Sequence, residues 1–417
     1  MFRGMRLLWE DVVKYREAVV WGILATAFLL PCLYYYHKDN VSVLQMDLVS
    51  ENQVIQAGAE QAQLQLYAKA AVLMDADSQR VLYGKNENEI LPMASTTKIM
   101  TCIIAIESGS MDELAQVSSY AAGQPRVHAG LKSGEQYYIR DLLYSLMLES
   151  HNDTAVVIAE HIGGSVEGFA EMMNQKAQEL GMENSYFITP NGLDATKGEL
   201  QHSTTAHDLA VLSAYAIQNE TFVAIVNTGR YTFYDTQQRH AISLNNKNAF
   251  LTQMDGAIGI KTGFTGNAGY CFTGAVRRED TTLVSVVLAS GWPPNKSYKW
   301  ADTANLMQYG WGNYEIRSIY LPASERIVIE MEGQQAHHVT TQRMELEELL
   351  SDTEEIVMTD LFANNVQGTI PAQTVAGIRT VFINRVPWAQ SYYFFEEPIE
   401  TTQYKQCFDG IVQQFLL

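Results

Sequence analysis

Residues 98–107 (KIMTCIIAIE) are charged only at their two ends, and between those ends a helix would be apolar on nearly every side. Such a helix has no face to offer water, so the chain must fold around it and bury it in the middle of a domain. Neighbouring patterns indicate what surrounds it. Residues 70–74 (AAVLM) and 80–83 read as two short strands, with the turn formers Asp75, Asp77 and Ser78 between them. Helical periodicity returns near 139–148, 154–161, 166–180 and 205–218. Strand patterns resume after Asp255, where 268–276 and 282–289 read as antiparallel neighbours across the charged turn Arg277-Arg278-Glu279-Asp280. Helices bracketed by strands at both ends predict a mixed α/β domain whose sheet gathers distant parts of the chain.

Outside that domain the texture changes twice. Residues 18–36 (AVVWGILATAFLLPCLYYY) hold no formal charge, close to the roughly 20 needed to cross a bilayer. Arg3, Arg6, Lys14 and Arg16 precede the run and three tyrosines close it. That arrangement predicts a membrane anchor with residues 1–17 in the cytoplasm and everything after it on the extracytoplasmic face. A cleaved signal peptide is the other reading, but no small-x-small site follows the run closely. Residues 37–66 are polar and Gln-rich, a stalk or linker. The mixed α/β domain is expected over 67–318. Residues 319–417 alternate short β-type runs (RIVIEM, TVFINRV, SYYFFE) with turns and predict a separate β-rich domain. Their acidic stretch at 345–355 matches no ligand spacing and reads as a solvated face, while the apolar stripe from Phe408 to Leu416 reads as packing. With 28 Lys+Arg against 47 Asp+Glu, the net charge of −19 argues against a nucleic-acid partner. Cys32, Cys102, Cys271 and Cys407 are too few and too scattered for a disulfide framework or a paired-Cys zinc site.

Chemistry enters at the start of the buried helix. Ser95 and Lys98 stand at i and i+3, one helical face, so hydroxyl and amine come within hydrogen-bond reach. Serine is a weak nucleophile until a base takes its proton, and a lysine can be that base where burial and nearby positive charge favour its neutral form. The competing view makes Ser95 a helix cap and Lys98 a surface residue. Ser150-His151-Asn152 supplies a second hydroxyl and a carboxamide, a pattern that Ser243-Leu244-Asn245 shares. Lys261-Thr262-Gly263, at the onset of a strand, adds a cation, a hydroxyl and a Gly that lets another backbone approach. The order Ser-x-x-Lys, Ser-x-Asn, Lys-Thr-Gly matches the penicillin-recognising serine enzymes.

Longer signatures accompany those motifs: 92–101 (PMASTTKIMT), 142–153, 187–193 (FITPNGL), 202–208 (HSTTAHD), 246–248 and 255–271 (DGAIGIKTGFTGNAGYC). Over about residues 67–311 the sequence closely resembles serine-type D-alanyl-D-alanine carboxypeptidases, the low-molecular-mass penicillin-binding proteins of peptidase family S11. The resemblance implies a DD-peptidase/β-lactamase-like domain, with an antiparallel sheet packed by helices and a helical subdomain, followed by a small β-rich domain. It implies Ser95 as acylated nucleophile, Lys98 as its base, Ser150 as proton relay to the leaving D-alanine, and Asn152 as holder of the substrate amide. Lys261, Thr262 and Gly263 would meet the terminal carboxylate and backbone, and the amides of Ser95 and Phe264 would form the oxyanion hole. Peptidoglycan stem peptides would be substrates, β-lactams covalent inhibitors, and no metal or organic cofactor would be needed.

Two positions depart from the family pattern. His151 stands where Gly or Ala is usual and reads as a bystander at the cleft rim. Lys299 stands where an Arg is often found, and a lysine cannot grip a carboxylate bidentately. Three rivals carry different expectations. A class A β-lactamase needs Glu-x-x-Leu-Asn, but Ala241 precedes Leu244-Asn245 at the Glu position. A DD-endopeptidase would use the same residues, and a non-catalytic wall-binding protein would lack the nucleophile or base, both of which are present.

Overall fold

The computed structural model describes residues 43–48, 53–58, 63–321, 323, 327–329, 337–367 and 369–400. The anchor expected at 18–36, the residues before it and the stripe at 408–416 lie outside these. The chain divides into two compact units, one spanning 62–315 and the other made from residues before 62 and after 315.

The 62–315 unit is built on a five-stranded antiparallel sheet, ordered Ala257–Thr265, Gly269–Arg278, Thr281–Leu288, Ala70–Asp75, Val81–Lys85. The expected hairpin and the strand pair across the charged turn are both present, each strand running one or two residues past its expected bounds at one end. Thr281–Leu288 is buried along its whole length because helices cover both sheet faces. One cover is Ala206–Ala216, and on the other side Tyr298–Asn313 packs Gly310 so closely that a Cβ there would strike Leu73 and Leu283. Lys98–Glu107 is buried from Lys98 through Ala105, as its uninterrupted apolar surface demands. It sits in one continuous core with Asn152–Gly163, Val166–Glu179 and the sheet. One cover of the chemistry was not visible in the periodicity: the predicted 139–148 helix is α-helical only over Ile139–Tyr144 and continues as a π turn, Ser145–Glu149.

The second unit contains a seven-stranded sheet. Ile356–Gln367, Val375–Ile383 and Val386–Phe395 follow one another in it, and Val43–Leu48 and Gln53–Gln56 both pair with Ile356–Gln367. The linker expected at 37–66 is thereby corrected. Its alternation is too polar to announce strands, but main-chain pairing to a distant partner does not need an apolar pattern. The inner faces bury two apolar clusters, around Tyr393 and around Val381. Between them Arg379 makes a two-pronged contact with Asp360, at 2.9 and 3.1 Å. Among the described residues no group of acidic, His or Cys side chains could hold a metal ion.

Candidate active site

Ser95 lies in a 3-10 turn, Ala94–Thr97, that runs directly into the buried helix at Lys98. The turn brings Lys98 Nζ to 2.9 Å from Ser95 Oγ. Lys98 is fully buried, so it is not the surface residue of the competing view. Its Nζ also donates to Asn152 Oδ1 at 2.9 Å and to the Asn191 carbonyl at 2.5 Å. Burial pushes its pKa well below the usual lysine range, Lys261 pushes it further in the same direction, and Asp153 opposes them. An amine without its proton has two N–H groups and one lone pair. Its two carbonyl partners can only accept, so they take the N–H groups and the lone pair faces the Ser95 hydroxyl. That is the orientation a general base needs.

The second motif ends the π turn. Ser150 adopts a left-handed conformation (φ 67°, ψ 35°), and its buried Oγ has no hydrogen-bond partner among the described residues. Asn152 then opens the next helix, with its Nδ2 donating to the Pro125 carbonyl at 3.1 Å. Asp153 is buried and accepts the amides of Ala129, Gly130 and Leu131, which pins the 127–131 loop beside the site.

The third motif lies on Ala257–Thr265, the outermost strand of its sheet. One side of that strand pairs with Gly269–Arg278, which leaves its other edge available to an extended backbone. Lys261 is 2% exposed, its Nζ donates to the Thr262 carbonyl at 3.0 Å, and burial lowers its pKa to about 7. Gly263 is the point of closest approach: a Cβ there would lie 3.1 Å from Ala94 Cβ, the Met93 carbonyl and the Ser95 amide. The Ser95 amide is thus beside the strand segment that carries Phe264, whose ring is exposed and leans on Tyr270. The structure brings Ser95, Lys98, Asn152 and Lys261 into one electrostatically coupled group, with Thr262, Gly263 and Phe264 on the adjoining strand and Ser150 two residues from Asn152.

Chains similar to this one are known. The family model for D-alanyl-D-alanine carboxypeptidase, Peptidase_S11, matches residues 56–291. The chain belongs to peptidase family S11. It is 33% identical over 273 residues to D-alanyl-D-alanine carboxypeptidase DacF of Bacillus subtilis, covering 64% of this chain and 67% of the relative. The crystal structure of penicillin-binding protein D2 from Listeria monocytogenes in its ampicillin-bound form aligns at 29% identity and TM-score 0.51, over 60% of this chain and all of its own. The carboxypeptidase DacD of Francisella tularensis aligns at TM-score 0.66 over 82% of this chain and 96% of its own, at 24% identity, a likeness of fold.

Within this S11 site the surroundings of Lys299 and His151 can be compared with the sequence expectations. Lys299 shares no hydrogen bond with the motif residues. It is 2% exposed, donates to the Lys296 carbonyl at 2.7 Å and lies against the Tyr270 and Trp300 rings. His151 is not a rim bystander but a buried group, 6% exposed, bonded through Nδ1 to Ser145 Oγ at 2.8 Å.

Sequence reasoning also missed Asn191 and His202, although both lie within quoted signatures. Asn191 acts through its carbonyl, which no side-chain argument could reveal. Gly192 supports it: its φ of +82° and its contact with the Ala94 carbonyl leave no room for a side chain. His202 Nδ1 accepts the Ile188 amide at 2.9 Å, so its Nε2 carries the proton toward Thr97 Oγ1 at 2.7 Å. Burial lowers its pKa to about 4, which keeps it neutral and structural. Cys102 and Cys271 are buried free thiols, and burial pushes Cys271 up to about 12.

Gly263→Ala is expected to separate the strand from the nucleophile turn. Three contacts at 3.1 Å, two of them backbone, leave little room to yield. Overpacking of this sort costs about 1–3 kcal/mol. Thermal melting should fall accordingly, and penicillin acylation should slow by more than the melting loss explains.

Proposed function

We propose that this chain is a serine D-Ala-D-Ala carboxypeptidase that removes the terminal D-alanine of peptidoglycan stem pentapeptides and is acylated by β-lactams. One observation carries the mechanism: a serine hydroxyl 2.9 Å from a fully buried lysine whose remaining partners only accept. The stem peptide lies along the free edge of Ala257–Thr265, with its terminal carboxylate toward Lys261 and Thr262. Ser95 Oγ attacks the penultimate carbonyl as Lys98 Nζ takes its proton, and the Ser95 and Phe264 amides receive the oxyanion. The proton passes through Ser150 Oγ to the departing D-alanine nitrogen. Water then attacks the acyl-serine, with Lys98 again as base. A β-lactam follows the first half of this path and leaves an ester on Ser95.

The chain is further proposed to work on the extracytoplasmic face of a bacterial membrane, held by residues 18–36. The positive residues before that run and the tyrosines after it support this. Among the described residues no single helix is long and apolar enough to cross a membrane.

The test incubates the full chain with a pentapeptide, with a cross-linked peptide dimer and with a fluorescent penicillin. Free D-alanine together with a covalent label is expected. Cleavage of the dimer alone would replace this proposal with an endopeptidase, and neither product nor label would end it.

A further inference from the structure

Ser150 combines two costly features. A left-handed backbone at a non-glycine residue is strained by about 1–3 kcal/mol, and such strain persists only where the surroundings impose it. Its Oγ is buried with no partner among the described residues, although the hydroxyl of Ser145, one turn earlier, is fully engaged. Something must hold residue 150 in place from both sides.

Both neighbours do so. On the N-terminal side, Glu149 Oε1 accepts the Asn245 amide at 2.8 Å and lies 3.5 Å from Lys247 Nζ, which ties the π turn to Ala241–Asn245. On the C-terminal side the His151 ring folds back over the same turn. Its Nδ1 meets Ser145 Oγ at 2.8 Å, and Ser145 Oγ meets Thr154 Oγ1 at 2.9 Å. Its Nε2 faces Glu149 Oε2 at 3.6 Å. With the ring neutral and its proton on Nε2, toward the carboxylate, Nδ1 can accept from the Ser145 hydroxyl and Ser145 can accept from Thr154. These two contacts join the π turn to the first turn of Asn152–Gly163.

We propose that His151 is a positioning residue for Ser150, the imidazole locking the π turn onto the following helix so that residue 150 stays left-handed with its hydroxyl free for the substrate. This rests on the relay role of Ser150 given above and adds the group that fixes its geometry. The ring works uncharged: burial and the nearby Lys98 and His128 lower its pKa, against Asp153 and Glu149. A protonated ring, a donor at both nitrogens, could no longer accept from Ser145.

The experiment measures acylation by fluorescent penicillin, pentapeptide turnover and thermal melting for native protein, His151→Ala, His151→Asn and Ser150→Ala. In His151→Ala the acylation rate and kcat should fall about tenfold to a hundredfold, the scale of a misplaced group, with KM within about twofold. His151→Asn, whose side-chain oxygen can take over as acceptor for Ser145, should recover most of that loss. His151→Ala acylating within about twofold of native overturns the inference, as does His151→Asn performing no better than His151→Ala. Ser150→Ala isolates the underlying reading: native-rate acylation there would overturn the relay itself, whereas slow Ser150→Ala beside normal His151→Ala would remove only the role of His151.

Discussion

Ser95→Ala is expected to lose all covalent penicillin label and to release D-alanine roughly five to six orders of magnitude more slowly than the native chain, the scale seen when a serine nucleophile is deleted. The fold should not notice. Among the described residues Ser95 Oγ hydrogen-bonds only with Lys98 Nζ and, at 3.4 Å, the Asn191 carbonyl, and the turn that holds residue 95 is fixed by Thr96 and Thr97 bonding back to Met93 and Ala94. Melting within a few degrees of native would show that the missing activity is missing chemistry. A labelled Ser95→Ala protein would place the nucleophile elsewhere.

Lys98→Met should show a smaller but still large loss while leaving the hydroxyl in place. Methionine fills similar space without a lone pair, and removing a general base typically costs 10²–10⁴-fold, so acylation is expected about three orders of magnitude down. The native pH profile carries the same information. Below the depressed pKa of Lys98 the amine is charged and cannot take the serine proton, so kcat/KM rises with pH on the acid side. Lys261 titrates at about 7 in the free protein, and its deprotonation removes the charge that meets the carboxylate, so kcat/KM falls on the alkaline side. The two lysines influence one another, so the limbs of this bell belong to the pair. A bound carboxylate favours charged Lys261, which moves the alkaline limb of kcat to higher pH than that of kcat/KM. Stopped-flow acylation and steady-state profiles measured side by side test this, and superimposable alkaline limbs would contradict the carboxylate role of Lys261.

How far the sequence carried depended on whether a feature is local. The all-apolar helix, the 70–83 hairpin and the 269–288 strand pair follow from patterns within a dozen residues, and all three are in the structure. Motif order pointed to Ser95, Lys98, Asn152 and Lys261, whose side chains the structure places together, since side-chain chemistry advertises itself. Main-chain chemistry does not, and the Asn191 carbonyl that completes the lysine's surroundings stayed hidden inside FITPNGL. The π turn was equally silent, because one extra residue per turn does not disturb an apolar stripe across five positions. His151 was misplaced because its partner, Ser145, becomes a neighbour only through that turn. Lys299, expected near the terminal carboxylate, has contacts with the Lys296 carbonyl and two aromatic faces that no sequence pattern announces.

The pairing of Val43–Leu48 and Gln53–Gln56 with Ile356–Gln367 also bears on biosynthesis. These early strands leave the ribosome long before their partner exists, and the whole peptidase unit is made in between. The unit at 62–315 can reach its native state first, whereas the seven-stranded sheet closes only when synthesis is nearly finished, at the entropic cost of a very long loop. A message truncated after residue 315 would therefore yield an enzyme trailing two strands with no ladder to join, open to recruitment by any other exposed sheet edge.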